Sequence, residues 1–535
     1  MTTLNKYFIL IFIIVVSLSS CNDDAVLEEK PKGFLSPENT YVNKEGFNSA
    51  LAELYRKGRG LRTVELISGE GDKVLSAIYG SGTDLGWYWD KKLNFGDYTL
   101  INSFNSLSNS YWNVLFDLVK DSNVILSYID NSDMSDADKL QVAAEARFFR
   151  AYAYRFLVHL FGGVPIIEEA LTGPKYDYIR NSKEEVLNFM VEDLMFASQN
   201  LPKQNKGDGH LAGAAADHVL SETYIALGKY DLAIASASKV INDGQYKLMT
   251  QRFGTLKSSA GDVFWDLFRS GNQNGNTGNT ESILVWQMEF GVPGGNNATY
   301  SIERTWGPYL EPLKDSKNAK AILPADSLGR GVGFFRPGEY LENTIWESDF
   351  KTDMRNSHYN IQRQFYNNNP ASVDYLKVIV PKASEIGRNY YPWIKKASSP
   401  EGHPQGYDTG GKLYTDIYAI RLAETYLLRA EAYLRKGDMA LAAADINVIR
   451  NRAKATPVTA AQINIDYLLD ERARELVVEE PRRLTLARMG LLYERTKKYN
   501  PVSAPTIKEF HNLLPIPQSV IDANDAAPFE QNTGY

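Results

Sequence analysis

Arg421-Leu422-Ala423-Glu424-Thr425-Tyr426-Leu427-Leu428-Arg429-Ala430-Glu431-Ala432-Tyr433, followed by Gly437 and Ala442, is the stretch whose reading decides the fold. It predicts a helix ending in a glycine turn, with a second, alanine-rich helix behind it. The spacing Tyr433-x-x-x-Gly437-x-x-x-x-Ala442 also occurs far upstream, as Tyr224-x-x-x-Gly228-x-x-x-x-Ala233. Small alanines let antiparallel helices approach closely and glycine takes the C-cap, which is the physics of a tetratricopeptide pair. Two copies so far apart do not form a continuous solenoid. They predict helix pairs packed into one body with long insertions between them.

Outward from these pairs, helical periodicity dominates the first half. Apolar residues from Trp112 to Leu126 share one face of a helix over 109–129. Ser135 with Asp138 opens a second helix, which Gly162-Gly163 and Pro165 end. Ser182 with Glu185 forms a capping box for a helix running to about Leu201. The stretch 254–415 differs in character. Ser282 to Gln287 reads as a strand between Gly- and Asn-rich loops at 271–280 and 291–297. Long loops on a helical scaffold are where binding usually resides.

The chain begins as an address. Lys6 precedes an uninterrupted apolar run, Tyr7 to Val16, shorter than the roughly 20 residues of a membrane span and suited to a signal peptide. Leu18-Ser19-Ser20-Cys21 resembles the lipobox of bacterial lipoproteins, and Cys21 is the only cysteine of the chain. Residues 1–20 are therefore expected to be cleaved, Cys21 to be lipidated, and 21–36 to form a tether spanning at most about 3.3–3.6 Å per residue. The acidic Asn22-Asp23-Asp24 resembles a surface-export signal. The remainder, 37–535, is expected to be one unit, with helical parts at 37–253 and 416–535 flanking the insertion at 254–415.

Composition narrows the function. With 58 basic and 65 acidic residues the net charge is −7, so no basic face for nucleic acid is expected. A lone cysteine permits neither an internal disulfide nor a cysteine metal cluster. The six histidines form no H-E-x-x-H, and neither a G-x-S-x-G nor a P-loop is present. Asp130, Asp133, Asp136 and Asp138 do not match a calcium loop and suit a helix start. No catalytic residue, metal or cofactor is singled out, and the sequence does not read as an enzyme. Glu471-Arg472, Glu475, Glu479, Arg482-Arg483 and Arg488 read as ion pairs along helix faces.

Several blocks together resemble the SusD/RagB family of outer-membrane nutrient-binding lipoproteins. These are Glu145 to Tyr152 leading to Phe161-Gly162-Gly163-Val164-Pro165, Trp112 with Asn123, Glu281-Ser282-Ile283, and Arg421 to Ala432. Glu471-Arg472, Glu475-Leu476 and Arg488-Met489-Gly490 follow, then Leu514-Pro515-Ile516-Pro517 and Gln531 to Tyr535. Pro481 and Thr533 depart locally from the family pattern. The resemblance implies a mostly α fold, a SusD-like scaffold of tetratricopeptide-like pairs carrying an irregular, loop-rich insertion with a few short strands. It implies a surface lipoprotein that captures oligosaccharides for a SusC-like TonB-dependent barrel, opening to admit ligand and closing on the barrel. A peptide cargo, as in the RagB branch, is the alternative.

Sugar rings have apolar faces and hydroxyl rims, so aromatic platforms beside polar groups are the expected lining. Two loops qualify: Asp84, Trp87, Tyr88, Trp89 and Asp90 in the first, and Tyr300, Trp306 and Tyr309 after the strand. Both resemble positions where glycan-binding members of the family place aromatics. Trp112, Trp265 and Trp286, on regular elements, read as core, while Trp346 and Trp393 rank behind the loop tryptophans as ligand contacts.

Overall fold

The computed structural model describes residues 40–63, 77–91, 95–204, 207, 209–295, 301–323, 328–399, 401 and 413–535. The leader, Cys21, the tether and Tyr300 lie outside them. The scaffold comprises α1 (Lys44–Gly60), α2 (Ser106–Tyr128), α3 (Asp136–Phe161), α4 (Lys183–Asn200), α5 (Gly213–Ala226) and α6 (Tyr230–Asn242). It resumes with α7 (Leu422–Lys436), α8 (Met439–Arg452), α9 (Ile465–Leu476), α10 (Arg482–Met489) and α11 (Leu492–Tyr499).

The predicted caps are present. Ser135 accepts from the Asp138 N–H at the start of α3, and Ser182 and Glu185 cap each other at the start of α4. Both repeat glycines are left-handed, Gly228 at φ 72° and Gly437 at φ 95°. Each closes the same double bond: Gly228 N–H to Ile225 O (3.0 Å) with Lys229 N–H to Tyr224 O (2.9 Å), and Gly437 N–H to Leu434 O (3.1 Å) with Asp438 N–H to Tyr433 O (2.9 Å). This is a Schellman cap, which satisfies the last carbonyls of each helix. The C-terminal tail is tacked to α3: the Asn532 amide donates to Phe161 O and Leu514 O, at 2.9 and 2.8 Å.

Each helix from α2 to α8 packs on the next, and this includes α6 on α7. The two repeat pairs thus form one continuous stack in space, although the intervening insertion separates them in sequence. The return is made by β2 (Ser282–Trp286) and β6 (Ile417–Arg421), which pair antiparallel, Ser282 opposite Arg421 and Trp286 opposite Ile417. Because α7 follows β6 directly, this pairing delivers it to α6. Two further strand pairs are short: β1 (Gly86–Tyr88) with β3 (Phe335–Pro337), and β4 (Ile361–Gln362) with β5 (Trp393–Ile394).

The last helices are locked by ion pairs, but seldom along helix faces. Glu475 meets Arg355 at 3.0 Å, Arg421 at 3.1 Å and also Arg452. Glu471 meets Arg355 and Arg450 at 2.8 and 2.9 Å, and its i+3 neighbour Arg474 at 2.9 Å. Arg488 reaches Glu431 at 2.6 Å. Glu281 of the insertion also pairs with Arg421 of β6, and Lys396 with Glu479 just beyond α9, so the insertion is bolted to the C-terminal part of the scaffold. Apart from Lys396 and Glu479, which are half-buried, these groups are buried, and a buried charge is tolerated only when it is paired and hydrogen-bonded. Trp112 and Trp286 are core as expected, whereas Trp265 is half-buried between Arg252 and Arg269.

Candidate ligand-binding site

The first expected loop begins with structure rather than solvent. Asp84 is fully buried, accepting from Arg482 at 3.0 and 2.6 Å and from Arg495 at 2.9 Å. Burial alone would raise its carboxyl, yet the two arginines hold it below its ordinary value. Asn500 fastens the same turn, donating to Thr83 O and Gly86 O at 2.8 Å. Asp84 therefore anchors the loop to α10 and α11 and has no free edge for a sugar hydroxyl.

Past this anchor the chain enters β1, with Trp87 opposite Arg336 and Tyr88 opposite Phe335. A Cβ on Gly86 would come within 2.2 Å of Arg336 O, so glycine permits the close approach of the strands. Strand alternation then decides exposure. Tyr88 points inward and stacks on Phe334, while Trp87 is half-buried with the Arg336 guanidinium 5.9 Å from its ring. Trp89 extends the pairing by one bond, N–H to Phe334 O at 2.9 Å, and its indole is 39% exposed. Asp90 follows it, half-buried.

The second loop divides in the same way. Trp306 lies on a short helix, Ile302–Trp306, is 1% exposed and packs on Phe335 with ring centroids 4.3 Å apart. Its expected role as a platform is corrected: the ring is core and supports β3 from behind. Tyr309, three residues on, is half-buried, and its N–H donates to Arg388 O at 3.0 Å.

Arg388 joins the two loops. Its guanidinium carbon lies 4.0 Å from the Trp89 ring centre, 5.1 Å from that of Tyr309 and 5.8 Å from that of Phe334. Its Nε donates to Val332 O at 2.9 Å, which fixes the side chain among the rings. Partial burial lowers its pKa from the ordinary arginine value, and an arginine remains charged throughout the physiological range. The result is a surface of aromatic faces around one cation. Such faces stack on the C–H side of a pyranose, and a guanidinium donates to hydroxyls. Trp89 and Tyr309 meet at one place. Asp84 and Trp306 hold that place up from beneath, and Trp87 and Tyr88 flank it.

Arg388, Phe334 and Arg336 escaped sequence reasoning. Phe334-Phe335-Arg336-Pro337 offers a weak alternation, but an isolated arginine such as Arg388 carries no sequence signal of a platform.

The SusD family model matches residues 284–535, and a second model, described as starch-binding associating with outer membrane, matches 78–225. The starch-binding protein SusD of Bacteroides thetaiotaomicron is 26% identical over 475 residues, covering 84% of this chain and 83% of that protein. Among solved structures, a laminarin-binding SusD-like protein superposes with a TM-score of 0.68 at 22% identity, covering 92% of this chain and 100% of its own. Surface glycan-binding protein A of B. thetaiotaomicron, in complex with laminarihexaose, gives 0.70 at 19% identity, covering the same shares. The two family models together match both halves of the chain, and the protein belongs to the SusD/RagB family.

Proposed function

We propose that this protein is a cell-surface lipoprotein of the outer membrane that captures oligosaccharides and delivers them to a SusC-like TonB-dependent transporter. The observation that carries the binding role is the convergence of Trp89, Tyr309 and Phe334 on Arg388, from segments far apart in sequence. The related proteins whose names state a ligand name starch, laminarin or laminarihexaose, which supports sugar over peptide as cargo. The lipobox-like Cys21 and the outer-membrane description of the matched family support the anchor and location. Capture needs no bond-making. The rings receive the apolar face of the sugar, Arg388 meets its hydroxyl rim, and release follows when transport withdraws the ligand.

Isothermal calorimetry of Trp89→Ala, Tyr309→Ala and Arg388→Ala against starch and laminarin oligosaccharides tests this. An anchoring aromatic should cost on the order of 1–3 kcal/mol, a fall of roughly 5- to 150-fold in affinity. Unchanged affinity in all three variants, with folding intact, would place the site elsewhere.

A further inference from the structure

Two hairpin turns, 314–320 and 366–378, are joined side by side in the insertion. Lys314 bridges Lys320, and Tyr366 bridges Val378. Between the turns, Ser316 N–H donates to Asp374 at 2.8 Å, Ser372 Oγ to Asp315 at 2.5 Å, and the Asn369 amide to Lys320 O at 2.6 Å. Leu313, Phe365, Ile379 and Trp393 pack beneath them as a small core. The tip is thus a built unit.

Its outer surface inverts the ordinary pattern. A hairpin facing water points apolar residues inward and polar ones outward. Here Ile379 alone turns inward, while Leu376, Val378 and Val380 are exposed, joined by Val373 and Ile386. Leu376 sits at φ 64°, a left-handed conformation that strains any branched side chain and that glycine or asparagine would adopt more easily. A leucine kept 66% exposed in that conformation points to a use for its side chain outside the fold.

Charge identifies the partner. Lys314, Lys317, Lys320, Lys377 and Lys382 are all exposed on or beside the tip, on a chain of net charge −7. The Lys377 ammonium pairs with Asp374, and among the described residues the ammonium groups of the other four form no ion pair, Glu385 being taken by the Lys382 backbone N–H. Asp315 accepts from the Lys317 and Ala319 N–H groups, so its charge is absorbed locally. Tyr366 and Tyr375 are exposed among these aliphatic side chains, and amphipathic rings of this kind sit at the headgroup level of a bilayer. Aliphatic groups ringed by lysines suit the headgroup layer of an anionic bilayer, where apolar tips bury and ammonium groups meet phosphates.

We propose that this two-hairpin tip inserts into the surface of an anionic lipid membrane and orients the body on it. The test uses the full chain carrying Cys21→Ala, so that no acyl group holds it to a bilayer; any contribution of the apolar leader is common to all variants. Partition onto phosphatidylglycerol/phosphatidylcholine vesicles is compared with partition onto phosphatidylcholine alone. The Val378→Asp/Val380→Asp variant should bind the anionic vesicles about tenfold more weakly. Leu376→Gly should also bind more weakly while melting at or above its parent, because strain is relieved. Added salt should release the parent. Equal partition of parent and variants would overturn the proposal. So would an equal loss on neutral vesicles, or unchanged vesicle binding with loss of a co-purifying outer-membrane protein, which would assign the surface to that protein.

Discussion

Asp84 and Trp89 stand five positions apart and do opposite work, a difference that composition hides. Glycines and carboxylates around three aromatics read as a binding loop, but the arginines that claim Asp84 lie 398 and 411 residues away in sequence. No local pattern reveals such partners. Asp84→Asn would leave two buried guanidinium groups facing a neutral amide, so a loss of about 3–5 kcal/mol is expected in denaturant unfolding. Since the folded carboxyl titrates below its ordinary value, this contribution is complete at neutral pH and is lost as pH falls from the ordinary carboxylate value through the depressed one. A loss under about 1 kcal/mol would show the pair to be dispensable. Trp306→Ala should likewise cost about 3–5 kcal/mol through the cavity it leaves, whereas Trp89→Ala, on the surface, should change stability by roughly 0.5 kcal/mol or less. Paired melts of the two variants check this contrast, and equal losses would mean that Trp89 too is structural.

At the scale of elements, the helices and their ends were the most legible part of the chain. Ser135, Ser182, Gly228 and Gly437 act where the sequence placed them, because a cap is decided within a few residues. What the sequence withheld was the contact of α6 with α7 and the cross-element ion pairs, since both depend on how the insertion returns to the scaffold. Asp416 marks that return, immediately before β6. Its carboxylate accepts from Met288 N–H and the Asn274 amide, each at 2.7 Å, yet burial pushes its pKa up to about 6. A raised folded pKa favours folding below the unfolded value near 4, and that contribution is lost as pH rises through about 6. Asp416→Asn imitates the protonated form. It should therefore melt above its parent at pH 8, with the gap closing towards pH 4 and amounting to at most about 2–3 kcal/mol. A gap that stays constant across this range would mean that the group does not titrate as the burial implies.

On the scale of the whole molecule, the scaffold provides rigidity and the insertion provides surfaces. The lobe is held to α9 through Arg355, which pairs with Glu471 and Glu475, and Lys396, which donates to Glu475 O, so the Arg388 platform and the lysine-ringed tip are carried by one braced body. Attachment to a membrane would then have two components of different physics. An acylated Cys21 contributes roughly 0.8 kcal/mol per buried CH₂ and is insensitive to salt, whereas contacts between lysines and headgroups are screened within about 10 Å at 0.1 M ionic strength. Cys21→Ala, expressed in a host that processes lipoproteins, is accordingly expected to leave a folded protein that either keeps its leader or is released from the membrane fraction by a high-salt wash, while the parent stays bound. Retention, after that wash, of a variant that has lost its leader would refute the lipid anchor, because contacts between lysines and headgroups do not survive such screening. Release of the variant even at low salt would leave the anchor standing and count against the tip. The wash thus separates an attachment read from four residues at the start of the chain from one seen only when two hairpins are brought side by side.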